Sequence, residues 1–381
     1  MEKREKREME KMTQIPIFYN PKQTVAGNTS FSPSAGKPVK VLESYLASGI
    51  PIEIKDFKPL KRSHMALAHS PAYVAGVMSM RIANGFGNTL KAVAESLPYT
   101  TGSFLHAAVY AAQTKSIAVS LTSGFHHACY DSGGGFCTMN GLMIAAQFLT
   151  LNGLSKVGIL DMDQHSGNGQ ENIIKTLNVK NVVHWSLGYN GPSRSGAEKF
   201  FAEEFSEVLK KFKGVSVMLY QAGADPWVND PLGGRLTKEQ LRLRDQMVFE
   251  FCKENKIGIV YNLAGGYADA FQNVLDIHLN TLIEAAKVYL GVDASHLTNV
   301  DDGSVKQEFS WNSGLDSEDH DEPAPKPSFY GVRESKCPVG KWKEVDPIQA
   351  EPTGYREEDL LLEETDDSAE LDLMLKHYLL K

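Results

Sequence analysis

The 381-residue sequence has four cysteines, Cys129, Cys137, Cys252 and Cys337, and no CxxC pair among them. That argues against a thiolate zinc knuckle and a dense disulfide framework, and it suits free thiols in a reducing compartment. No apolar run approaches the roughly 18 residues that a membrane span needs. There is no basic excess either. Lys and Arg number 39 against 47 Asp and Glu, a net charge of −8, so no global field draws the chain onto nucleic acid. Much of that charge is local: residues 351–381 carry ten acidic and three basic side chains. The start, MEKREKREMEKM, alternates charge and lacks the apolar core of a secretory signal, so residues 1–16 read as a charged lead. No internal repeat is visible.

What is present from about residue 115 is an alternation of short apolar runs and longer amphipathic stretches. SIAVSL (116–121), KVGILD (156–161), NVVHWSL (181–187), VSVMLYQAG (215–223) and IGIVYNLAGG (257–266) read as buried strands. Amphipathic segments between them read as helices, several closed by glycine. One opens on Thr237 with Gln240 three positions on, a capping box. This rhythm predicts an α/β fold, a mostly parallel sheet with helices on both faces. We place a single catalytic domain at 17–292. The acidic, proline-containing stretch after it has the composition of an extension outside the core, 293–381.

Ligands of such sheets sit beyond the carboxyl ends of the strands. Here those ends are TSGFHHACYDSGGGF, DMDQHSGNG, SLGYNG, QAGADPWVNDPLGG and AGGYADA. Asp163 and His165, two apart on a strand end, point to one face. With Asp225 they make two carboxylates and one imidazole. Three ligands and an open fourth position suit a catalytic zinc, which acidifies its water to about pH 7. Adjacent His126 and His127 can supply the base and acid such a water needs. Asp161 and Asn168 suit the task of orienting them. Tyr267, after two glycines, can reach a developing oxyanion.

Taken together, SGFHHACYDSGGGFC, LDMDQHSGNGQ, QAGADPWVNDPLGG and LAGGY, with the earlier LAHSPAYV, resemble the zinc-dependent histone deacetylase and acetylpolyamine amidohydrolase family over roughly residues 17–290. The resemblance implies the arginase/deacetylase fold around an eight-stranded parallel sheet. It makes Asp163, His165 and Asp225 the zinc ligands, pairs His126 with Asp161 and His127 with Asn168, and gives Tyr267 the acetyl carbonyl. Asn168, where some members carry Asp, is class II-like. Gly135 and Phe136 match the wall of the acyl-lysine tunnel. Asp161, Ser186 and Leu187, with the backbone of Asp163 and His165, match a potassium site. Arg62 falls near the arginine of an internal acetate channel. Tyr189 stands in for a second tunnel aromatic, and Glu95 with Ser96 falls where a rim aspartate grips the substrate backbone.

The implied activity is removal of acetyl groups from acetyl-lysine of proteins, histone tails included, with acetylpolyamines or other small amides as the alternative. A manganese ureohydrolase would need a bridging aspartate two residues after the histidine, where Gly167 stands. A non-catalytic scaffold would have lost part of the set, and all of it is present. The implied cofactors are Zn2+ and a structural K+. The implied partner is an acetylated protein or peptide, without direct nucleic-acid or membrane binding. His64, His69, His106, His184 and His278 lack partner patterns and read as structural; Cys137 reads as packing. The expected location is a cytoplasmic or nuclear reducing compartment. The Glu-rich C terminus also resembles export signals of bacterial effectors acting in a host cell.

Overall fold

The computed structural model describes residues 12–28, 30 and 32–304. The acidic segment from 305 onward and most of the charged lead lie outside the described residues.

Seven parallel strands form one sheet: β1 (Ile15–Phe18), β2 (Ile52–Lys55), β3 (Ile117–Ser120), β4 (Val157–Asp161), β5 (Val182–Ser186), β6 (Val217–Gly223) and β7 (Gly258–Ala264). Their order is β2-β1-β3-β7-β6-β4-β5. The expected α/β architecture therefore holds, with seven described strands where eight were implied. Every residue of β3, β4, β6 and β7 is buried. Buried on both faces, these strands read as near-continuous apolar runs. Side chains alternate between two cores. Met218 and Tyr220 face one, with Phe249 and Ile283; Val217 and Leu219 face the other, with Phe104 and Ile144. Among the described residues no helix is long and apolar enough to cross a membrane.

Two features beneath the loops hold the strand ends in place. Arg244, on the helix Lys238–Glu254, is fully buried. Its Nη1 donates to the carbonyls of Gly223 (2.6 Å) and Met162 (3.3 Å), and its Nε to Asp245 (2.9 Å). A buried guanidinium is tolerated because a carboxylate and carbonyls receive its protons. In doing so it ties the end of β6 to the residue before Asp163.

The second feature crosses the domain boundary set at 292. Asp302 accepts from Trp227 Nε1 (2.8 Å) and from the Lys238 amide (2.9 Å), and Asn229 donates to its carbonyl (2.7 Å). Asn299 exchanges hydrogen bonds with Asn280. Residues 293–304 therefore pack on the domain, and the fold runs to at least 304. We expect Asp302→Ala to destabilise the protein by about 1–3 kcal/mol, because the Trp227 and Lys238 donors lose their acceptor. Denaturant unfolding measures this, and an unchanged midpoint would rule out a structural role for the segment.

Cys137 and Cys252 are buried free thiols, and the Cys137 Sγ lies 3.3 Å from the Gly124 carbonyl. Cys129 is buried as well.

Candidate active site

Because all seven strands are parallel, their carboxyl ends share one edge of the sheet. The neighbours β3, β7, β6 and β4 deliver His126 and His127, Tyr267, Asp225, and Asp163 with His165 to one place. The candidate ligand atoms of Asp163, His165 and Asp225 lie within 4.8 Å of one another. His165 Nδ1 stands 3.1 Å from Asp163 Oδ1 and 3.0 Å from Asp225 Oδ2. Asp225 Oδ2 is buried, yet no donor reaches it with hydrogen-bond geometry. Two buried carboxylates facing one imidazole nitrogen need a positive charge between them. Burial and the Asp163 charge push Asp225 up to about 6. His165, which burial alone would lower, is held near 11 by the two carboxylates. A divalent cation supplies that charge and lets the imidazole be a neutral ligand, so the donor set fits zinc.

Both candidate histidines are hydrogen-bonded through Nδ1. His126 Nδ1 donates to Asp161 Oδ2 at 2.9 Å, and His127 Nδ1 to Asn168 Oδ1 at 2.6 Å. Each ring is thereby oriented through Nδ1, and His126 Nε2 lies 3.5 Å from Asp163 Oδ1. Unlike partners separate their proton affinities. Burial alone would lower His126, but Asp163 and Asp161 outweigh it and hold it near 9. Burial, with the charge on His126, pulls His127 down to about 3.

Tyr267 sits behind Gly265 (φ +55°) and Gly266 (φ +90°), both in the left-handed region that glycine tolerates. Its amide donates to Asp230 Oδ2 at 2.7 Å. Burial, then the Asp225 charge, pushes the Tyr267 phenol well above its usual range, so it remains a neutral donor. A narrow cavity joins Tyr267, His126 and Asp163 to Gly135 and Phe136. A Cβ at Gly135 would come within 2.3 Å of the His127 ring, which explains glycine at that wall. Phe136 adopts a positive φ of 66°, and its ring lies 5.6 Å from that of Tyr267. Backbone strain of this kind persists where surroundings over-determine it, commonly at ligand clamps.

The histone deacetylase domain model matches residues 35–193. Among curated proteins, histone deacetylase 2 of Arabidopsis thaliana is 28% identical over 178 residues, 42% of this chain and 46% of that protein. The acetylpolyamine amidohydrolase of Mycoplana ramosa is 48% identical over 48 residues, 13% of this chain and 14% of that one. The chain is similar to the histone deacetylase and acetylpolyamine amidohydrolase family, and the domain model covers less than half of its length. Solved structures share the deacetylase fold. One is an acetylpolyamine aminohydrolase from Burkholderia pseudomallei (TM-score 0.56, 17% identity, covering 72% of this chain and 99% of that one). Another is an HDAC homolog from Aquifex aeolicus (TM-score 0.58, 15% identity, covering 73% and 84%).

Several details of this site depart from the expectations. Tyr189 is 48% exposed and its hydroxyl faces Ser166 and Glu171; the aromatic beside Phe136 is Phe86, with ring centres 5.9 Å apart. Glu95 forms an exposed pair with Lys91 (3.1 Å), and Ser96 turns its hydroxyl back to the Val93 carbonyl. Ser96 also lines a cavity with Phe86 and Phe136. Arg62 opens a short helix, Arg62–Met65, while a buried lysine, Lys37, lies beside the Gly265 loop. Its Nζ donates to the Gly265 carbonyl. Burial lowers Lys37 to about 8 against the pull of Asp225, Asp163 and Asp230. Sequence reasoning also passed over Gln170 and Gln221, which both donate to Asp161. His69, read as structural, accepts from the Asn140 amide (2.7 Å) and bonds the Cys129 carbonyl (2.8 Å).

Proposed function

We propose that the protein is a zinc-dependent amide hydrolase that removes acetyl groups from acetyl-lysine of proteins, histone tails included. The observation that supports this most is the pairing of one cation-demanding trio, Asp163, His165 and Asp225, with two histidines of unlike partners and one neutral phenol. Bound zinc supplies a Lewis acid and an acidified water. The chain supplies the rest. His127, lowered by burial and oriented by Asn168, accepts the proton of the attacking water at Nε2. His126, held by Asp161, gives the positive charge that steadies the developing oxyanion. Tyr267 donates its hydroxyl to the carbonyl oxygen as that oxygen gains charge. Phe136 and Phe86 offer apolar rings to a lysine stem.

A second reading is an acetylated polyamine or other small acetylated amine. It is favoured by the engagement of Glu95 with Lys91 and by the acetylpolyamine amidohydrolases among the relatives.

The test is a panel of acetyl-lysine peptides and acetylated polyamines, assayed on the zinc-loaded protein with and without a chelator. The expected result is chelator-sensitive release of acetate, with peptides preferred. Polyamine turnover alone would select the second reading. No turnover of either class would overturn both.

A further inference from the structure

The family resemblance implies a second cation, potassium, held by Asp161, Ser186 and Leu187 with the backbone of Asp163 and His165. In this chain the side-chain and Leu187 oxygens of that set already have donors. Asp161 Oδ1 accepts from Gln221 Nε2 (3.1 Å) and the Asp163 amide (3.2 Å). Its Oδ2 accepts from His126 Nδ1 (2.9 Å) and Gln170 Nε2 (3.2 Å). Ser186 Oγ accepts from the Gly167 amide at 3.1 Å. The Leu187 carbonyl accepts from the Gly191 amide at 2.7 Å and from Arg235 Nη1 at 3.0 Å. A carbonyl oxygen has two lone pairs, and both are used. The residues present do not fit potassium without displacing Arg235.

We infer that the Arg235 guanidinium stands in for the monovalent cation, so that the site keeps its shape without potassium. An arginine suits the task because its charge is permanent and its donors are rigidly spaced. The fold delivers it there by several independent contacts. The loop after Asp225 turns back on itself: the amides of Arg235 and Leu236 both donate to the Pro226 carbonyl (2.9 and 2.7 Å), and Leu236 is fully buried. Opposite, residue 191 has to be glycine, since a Cβ there would lie 2.9 Å from Arg235 Nη1 and 2.5 Å from the Leu187 oxygen. The Asp225 charge acts on the half-buried guanidinium. Arg235 is thus a positioning residue. It staples the loop carrying Asp225 to the end of β5, beside the strand end that carries Asp161, Asp163 and His165.

The inference concerns the proposed hydrolytic site, and it rests on that reading only for its activity arm. The experiment is thermal unfolding of the full chain in KCl, NaCl and choline chloride at equal ionic strength, with acetyl-lysine hydrolysis measured alongside. The natural protein is expected to show one Tm and one rate in all three salts. Arg235→Gln is expected to lose about 3 °C or more in choline chloride, from a lost charge-assisted hydrogen bond. Its kcat/KM should fall about 10-fold through misplaced ligands. Potassium, but not choline, should recover part of both losses once the Leu187 oxygen is free. Arg235→Lys, which keeps the charge, should fold and stay indifferent to the salt; it carries the test if the glutamine variant does not fold. A saturable rise of the natural protein's Tm with potassium would overturn the inference. So would an Arg235→Gln variant whose loss is the same in every salt. Absence of hydrolysis on any substrate would count against the hydrolase reading while leaving the unfolding result to decide this one.

Discussion

Asp225→Asn is expected to remove metal and activity together. The substitution keeps the shape of the side chain but deletes one of the two buried negative charges that converge on His165 Nδ1, at 3.0 Å from Asp225 Oδ2. Partners that only orient a ligand cost roughly 10–100-fold in metal affinity when removed, so loss of a direct ligand should exceed about 100-fold. The checks are zinc content by elemental analysis and turnover of an acetyl-lysine peptide. The natural protein should carry about one zinc per chain, since Gly167 leaves no bridging carboxylate for a second. An Asp225→Asn protein that retains stoichiometric zinc and full turnover would show that the trio is not the metal centre. Exhaustive chelation of the natural protein should have the same consequence without any substitution.

Tyr267→Phe should lower kcat by roughly 10²–10³ while leaving KM nearly unchanged, because the phenol's hydrogen bond is stronger to the oxyanion than to the ground-state carbonyl. The ring, packed 5.6 Å from Phe136, is preserved in the variant, so the tunnel wall should survive. A rise in KM with unchanged kcat would instead make Tyr267 a binding residue. Asp230 bears on the same prediction. It holds the Tyr267 amide at 2.7 Å, and burial, with the Asp225 charge, raises its carboxyl to about 7.

The chemistry-bearing loops were legible because their residues cluster within short windows after apolar runs. His126 with His127, and Asp161 through Asn168, announce themselves by density alone. The central strands were legible for the same reason that they are central: both faces are buried. β1 and β2 were not. Each has four residues, β1 contains Pro16, and β2 is partly exposed along its length. Lys37, Gln221 and Arg235 were illegible for a different reason. Their roles lie in contacts with residues 228, 60 and 48 positions away, which no local pattern records. A lysine opening an amphipathic stretch looks like a solvated helix end. Only the fold brings it against Gly265.

The strand order carries a consequence for biosynthesis. β7, the last made of the described strands, lies between β3 and β6 in the sheet. Until residues 258–264 leave the ribosome, β2-β1-β3 and β6-β4-β5 are two separate ribbons with no hydrogen bonds between them. One ribbon ends in His126 and His127, the other in Asp163, His165 and Asp225. A nascent chain can therefore bring together the three metal-seeking side chains while it still lacks both histidines' docking and Tyr267. Pairings this distant in sequence close slowly, and an unpaired β6 edge is open to wrong partners meanwhile. Insertion of β7 is then the step that turns a chelating fragment into a catalyst, and a chain terminated before residue 258 should bind metal yet hydrolyse nothing.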